Sequence, residues 1–217
     1  MAKTLVNIDE GLLEAVRDIL RAATKRDTVN GALRDVARRD AASRFLHQAC
    51  GGIFTTGTHV DQRSSPAGTP MGVAYLVDTS AIRHLPHPDV AAVLTPLIQA
   101  GTAATCAAID LALLALITDP AQFTEIRDLR ARSFVFLTTT DDDLRRAVDV
   151  RTAWVNGDQA HPPDWPELIV AAVAERHQVP VLHYHQVFDH IASITKQPTV
   201  WATPDGRPPT QTSRAAT

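Results

Sequence analysis

Asp78 closes the short apolar run at 73–77 and is followed by Thr79-Ser80 and a helical pattern. That order leaves a carboxylate at the C-terminal edge of a predicted parallel strand, the place where ligands of such sheets collect. Asp164 and Glu167 are spaced D-x-x-E around Pro166, near the spacing of a capping box at a helix start. A structural role explains both, and for Glu167 it is compatible with chemistry. His183 and His185 stand two apart at a strand end and invite a zinc reading. Without a nearby Cys or a further paired His, ordinary surface or edge histidines are expected. Asp141, Asp142 and Asp143 after Thr140 read as first-turn acids complementing a helix dipole. Trp154 and Trp165 read as packing residues. Arg145, Arg146 and Arg151 could reach a phosphate backbone, though charges on a helix face are usually solvated. Neither Cys50 nor Cys106 looks like a nucleophile.

The elements that must position these groups follow from periodicity. Helical patterns at 89–99, 107–117, 121–130 and 141–155 alternate with strand candidates at 134–137 and 179–184. Such alternation predicts an α/β domain with a mainly parallel sheet and flanking helices over residues 73–203. With 217 residues, 45% hydrophobic and 21% charged, the composition is that of a globular chain and excludes collagenous, wholly disordered and disulfide-dense classes. Two distant cysteines fit a reducing cytoplasm. The opening MAKTLVNIDE carries an acid pair where a secretory signal needs its apolar run. The longest apolar stretch, 103–117, is broken by Asp110 and is too short to span a bilayer.

The net charge of −3 hides a division, for residues 1–50 carry nine basic and seven acidic side chains and the remainder is acidic. A basic head on an acidic body suggests parts with different partners. Between them, Gly51, Gly52, Gly57, Gly68 and Gly72 with SSP and TTGT give residues 47–72 the composition of a flexible linker. Met71 opens MGVAYLVD directly after it, like an old start codon, so the chain reads as two reading frames joined end to end. After Trp201 the tail has little to bury, and 204–217 is expected to be disordered.

In the head, Thr4, Val6 and Ile8 alternate with Lys3, Leu5 and Asn7, a period-2 strand signature. Asp9 can cap a helix bearing Leu12, Leu13, Val16, Ile19 and Leu20. A second helix, with Val29, Ala32, Leu33, Val36 and Ala37, is expected after an Asp27-Thr28 cap. A unit of residues 1–46 with one strand cannot close a core alone, so a homodimer is expected. The strand, two helices and the run TKRDTVNGALRDVARR resemble the ribbon-helix-helix antitoxins of the VapB type. That resemblance implies an antiparallel ribbon in the major groove of operator DNA, read by Lys3, Leu5 and Asn7. A phosphate would sit on amides near Thr28 and Val29, aided by Lys25 and Arg26.

At YLVDTSAIRHL and PELIVAAVAERHQVPVLHYHQVFDHIA the body resembles PIN-domain ribonuclease toxins of the VapC type, operon partners of VapB antitoxins. The resemblance implies a Mg²⁺- or Mn²⁺-dependent endoribonuclease, because hard cations neutralising a phosphodiester need several carboxylates at one sheet edge. Asp78 occupies the first acidic position and Glu167 the third, so these two would be catalytic and metal-binding. Ala112 stands at the second, His185 at the fourth, and Val187 where a further acid often follows. Asp110, two residues from Ala112, points about 200° away on a helix and cannot simply replace it. A rescued site would use His185 as a nitrogen ligand for Mn²⁺ or Zn²⁺, with Asp110, Asp164 or Asp189 supplying oxygen. The resulting expectation is a toxin–antitoxin fusion with a damaged nuclease. Its rivals are an active endoribonuclease restrained in cis and a non-catalytic regulator.

Overall fold

The computed structural model describes residues 6–51, 72–157 and 162–209. Among these, five short strands form one sheet: β1 (Tyr75–Val77), β2 (Ala103–Cys106), β3 (Val135–Leu137), β4 (Val181–His183) and β5 (Thr199–Trp201). Every pairing is parallel and the order is β3-β2-β1-β4-β5. The α/β architecture with a parallel sheet and flanking helices is therefore present as expected. Leu76, Val77, Val181 and Leu182 are fully buried, as central strands covered on both faces require. The chain winds from β1 through β2 to β3, then returns past β1 to lay down β4 and β5. The C-terminal ends of β1 and β4 thus flank the point where winding reverses, and a crevice opens there.

Two helices precede the sheet, α1 (Glu10–Leu20) and α2 (Lys25–Cys50). Asp9 caps α1 as expected, its carboxylate accepting from the Leu12 amide at 3.0 Å. The second helix begins three residues before the expected cap. Thr24 is the N-cap and accepts from the Asp27 amide at 3.1 Å, so Asp27 and Thr28 lie inside the first turn. Residues 6–9 have no strand pairing, while Lys3 and Leu5 lie outside the described residues.

Beyond residue 46 the helix continues to Cys50, and its second half is built into the body. Ala41, Ala42, Phe45, Leu46 and Ala49 belong to the same buried cluster as the sheet. They pack on α4 (Pro88–Ala100) and α6 (Pro120–Ser133). Arg44 pairs with Glu125 at 2.9 Å. Arg38 reaches the Gln99 carbonyl at the end of α4. Its guanidinium lies over Gly101, whose positive φ and lack of a side chain are both required there. Residues 52–71, with Met71 and most of the expected linker, lie outside the described residues.

The rest of the body is α3 (Thr79–Arg83), α5 (Ala107–Leu114), α7 (Asp141–Asn156), α8 (Trp165–His177) and α9 (Val187–Thr195). Thr140 caps α7 in a reciprocal box with Asp143. Asp143 is more than a first-turn acid: it is buried and paired with Arg176 at 2.8 Å. Trp154 packs in the core as expected, but Trp165 is 59% exposed. Residues 202–207 are also more ordered than a free tail, because Ala202 and Thr203 are buried and the Thr203 hydroxyl donates to the Arg207 carbonyl at 2.6 Å. Residues 210–217 lie outside the described residues. Among the described residues no helix is long and apolar enough to cross a membrane.

Candidate active site

The crevice between β1 and β4 gathers the groups singled out by spacing. β1 delivers Asp78 to the N-cap of α3, where one carboxylate oxygen accepts from the Ser80 amide at 2.7 Å. Asp78 is only 6% exposed, and burial pushes its carboxyl above the usual range, while hydrogen bonds from Ser80 and the nearby His185 act the other way. Glu167 enters from the first turn of α8. Burial, and then the charges of Asp78 and Asp164, push its carboxyl up to about 7. Its Oε2 is buried without a hydrogen-bond partner. Burial therefore favours the protonated form of Glu167 near neutral pH, and the nearby charges of Asp78 and Asp164 act in the same direction. Asp164 is the N-cap residue of α8 and Pro166 lies in its first turn, but no side-chain capping bond forms, so the expected capping box is absent.

Two of the remaining candidates, Asp110 and Asp189, are bound by other partners. Asp110, on α5, binds the buried Arg130 through Nε at 3.0 Å and Nη2 at 2.5 Å, and accepts from the Thr105 hydroxyl at 2.8 Å. Asp189, on α9, accepts from the Trp201 indole through both oxygens at 3.1 and 3.2 Å. Ala112, also on α5, offers only a methyl group, as its place in the sequence implied. His185 is exposed after β4, within electrostatic reach of Asp78. His183 is not a surface histidine: it is fully buried against Phe188 and Trp201, and burial pushes its imidazole down to about 4.

Among the described residues no group of three or more His, Cys, Asp or Glu side chains could hold a metal ion. Among the described residues Asp78 and Glu167 give too few anionic oxygens for a hard divalent cation, and this set does not fit Mg²⁺ or Mn²⁺. The geometry instead provides a protonatable pair of acids, beside an exposed imidazole, at the ligand-binding edge of a parallel sheet.

The groups expected to meet DNA are likewise changed by their surroundings. Lys25 pairs with Glu10 at 2.8 Å on the surface. Thr28 is fully buried and its hydroxyl donates to the Thr24 carbonyl at 2.9 Å. Its amide is spent on the same carbonyl, so the free amides of α2 lie one turn earlier than expected. Asn7 and Arg26 are exposed. Arg146 donates through Nε and Nη2 to the two carboxylate oxygens of Glu175, and Arg145 pairs with Asp142.

Arg130 and Ser80 are the residues that spacing did not reveal. Arg130 is 1% exposed and its guanidinium lies 4.7 Å from the Phe134 ring and 5.6 Å from that of Phe45. Its partner Asp110 is twenty residues away in sequence, beyond any local pattern. Ser80 links Asp78 to two aromatic rings, and its only signal was its place in the Asp-Thr-Ser run.

No protein-family model matches the chain. Ribonuclease VapC21 of Mycobacterium tuberculosis is 33% identical over 136 residues, covering 63% of this chain and 99% of that protein. Ribonuclease VapC51 of the same organism is 32% identical, with 63% and 98% covered. Ribonuclease VapC18 is 28% identical, with 62% and 98% covered. Among solved structures, VapBC2 of Rickettsia felis bound to a DNA fragment from its promoter matches with a TM-score of 0.48 and 14% identity, over 60% of this chain and 98% of that one.

Proposed function

The chain belongs to the VapC family of ribonucleases, and from that premise we propose that it joins a toxin-derived PIN domain to its own antitoxin-like head, with the nuclease centre weakened or silent. The observation that carries this reading is the fate of the acids. Asp78 and Glu167 remain in the crevice, while Asp110 is spent on Arg130, Asp189 on Trp201, and positions 112 and 185 hold Ala and His. Hydrolysis of RNA assisted by Mg²⁺ or Mn²⁺, which the family resemblance implies, requires more anionic ligands than this crevice offers.

The head is read as a dimerisation and operator-binding element. Val6, Ile8, Leu12, Ile19, Leu33 and Val36 are all exposed on the segment running from residue 6 through α1 into the first half of α2. Apolar residues so concentrated call for a partner surface, and a second copy of the head supplies one. Asn7 and Arg26 are exposed on the same segment, where the reading has them face DNA.

The deciding experiment is RNA cleavage by the whole chain in Mg²⁺ and in Mn²⁺, beside Asp78→Ala and the double variant Ala112→Glu/His185→Asp. The reading expects wild type to cleave no faster than Asp78→Ala. It expects the double variant to bind Mn²⁺ at least about 10- to 100-fold more tightly, the scale of loss that even outer-shell partners cause. Robust cleavage by wild type that Asp78→Ala abolishes would show a working nuclease restrained in cis.

A further inference from the structure

Beside the acids lies a pair of rings that the family reading does not use. His84, the C-cap residue of α3, stacks on Tyr184, which follows β4, with ring centroids 4.3 Å apart and planes inclined by 30°. His84 is exposed and Tyr184 is half-buried, so the imidazole presents its outer face to solvent while the phenol backs it. Trp201 braces Tyr184 edge-on from behind at 5.8 Å and 71°.

Ser80 ties this pair to Asp78 with three hydrogen bonds. Its amide donates to the Asp78 carboxylate at 2.7 Å. Its hydroxyl accepts from the Tyr184 amide at 2.9 Å. Its carbonyl accepts from Nδ1 of His84 at 2.8 Å, so that nitrogen carries the proton. One residue therefore sets the position of both rings relative to the acid. A flat, exposed π-face held by its neighbours suits a flat ligand, because the cost of ordering it has been met in folding.

We propose that the His84–Tyr184 pair is a stacking platform for one base of a single-stranded RNA, setting the adjoining phosphate beside Asp78. This rests on the ribonuclease ancestry proposed above, and it concerns binding, which survives loss of the metal ligands. Stacking on a side chain tolerates any base, since all have a π-face, and favours single strands, whose bases are free to leave their neighbours. The platform would select a strand state with little regard to sequence.

The test is fluorescence anisotropy of the whole chain with a labelled single-stranded oligoribonucleotide of mixed sequence, in a chelator so that no cleavage occurs. His84→Ala should weaken binding roughly 5- to 150-fold, the range for one base on one aromatic group. His84→Phe should restore it to within about threefold, because a phenyl face also stacks. An oligonucleotide made abasic throughout should bind wild type and His84→Ala equally. The same sequence as a duplex should bind more weakly than the single strand. Equal affinity of wild type and His84→Ala for the intact oligonucleotide overturns the platform alone. Failure of His84→Phe to restore binding also overturns it, assigning the imidazole a polar role instead. Absence of any RNA binding by wild type overturns both the platform and the RNA-directed ancestry on which it rests.

Discussion

Replacing Phe45 by Ala tests whether the head is a separable attachment or part of the body. Phe45 belongs by sequence to the antitoxin-like segment, yet its ring is fully buried, edge-on to Phe134 at 5.3 Å and 86°, with the Arg130 guanidinium beside both rings. Truncating a buried Phe to Ala costs about 3–5 kcal/mol, of which the aromatic pair accounts for about 0.5–1.5 kcal/mol. Domains of this kind are stable by about 5–15 kcal/mol, so the substitution should remove a large part of the total. The expected fall in Tm is about 6–20 °C, taking 2–4 °C per kcal/mol for a chain of this length. The assay is thermal unfolding, with urea titration beside it, each followed by tryptophan emission. All three tryptophans, Trp154, Trp165 and Trp201, lie in the body, so the signal reports a region distant in sequence from the mutation. Arg34→Ala, on the exposed part of the same helix, is the control and should shift stability by no more than about 0.5 kcal/mol. A Phe45→Ala body that unfolds at the wild-type midpoint, with helix lost in a separate earlier transition by circular dichroism, would refute the reasoning and make the head an independent unit.

Two further outcomes follow from charges in the body. Asp110→Ala leaves Arg130 buried and unpaired, which should cost about 3–5 kcal/mol, and Asp110→Ala/Arg130→Met should recover most of the loss in the same titrations. A double variant as unstable as the single would mean that Asp110 acts through something other than Arg130. Glu167 has a folded pKa of about 7 against an ordinary value of 4.5. The folded chain therefore binds more protons than the unfolded chain between those values, and stability falls as pH rises through that window. Glu167→Gln should raise the midpoint above pH 7 and leave it unchanged below pH 4.5, and a pH-independent gain would contradict the shifted titration.

Much of the architecture was legible in short patterns. The apolar run ending at Asp78 placed a carboxylate at a strand edge, and the alternation of helical and strand patterns predicted the parallel sheet. The patterns failed where a side chain's role depends on something far away in the chain. Asp27-Thr28 looked like a cap, but Thr24 took that role. Trp165 looked like a packing residue because tryptophan usually is, whereas its position at the start of α8 leaves it in solvent. Asp110 and Asp189 looked available to a metal because nothing nearby in sequence announced Arg130 or the Trp201 indole.

By itself the sequence determined the sheet type, the positions of α4, α5, α6 and α7 to within a few residues, the family of the body, and which acidic positions carry Ala and His. These depend on residue identity and on interactions a few residues apart. Only the tertiary structure decided that α2 is buried in the body, that two of the spare acids are already paired, and that Ser80 holds His84 and Tyr184 beside Asp78. Each of those results from bringing together groups 12 to 104 residues apart, and burial then makes such contacts strong enough to decide what a polar side chain is free to do.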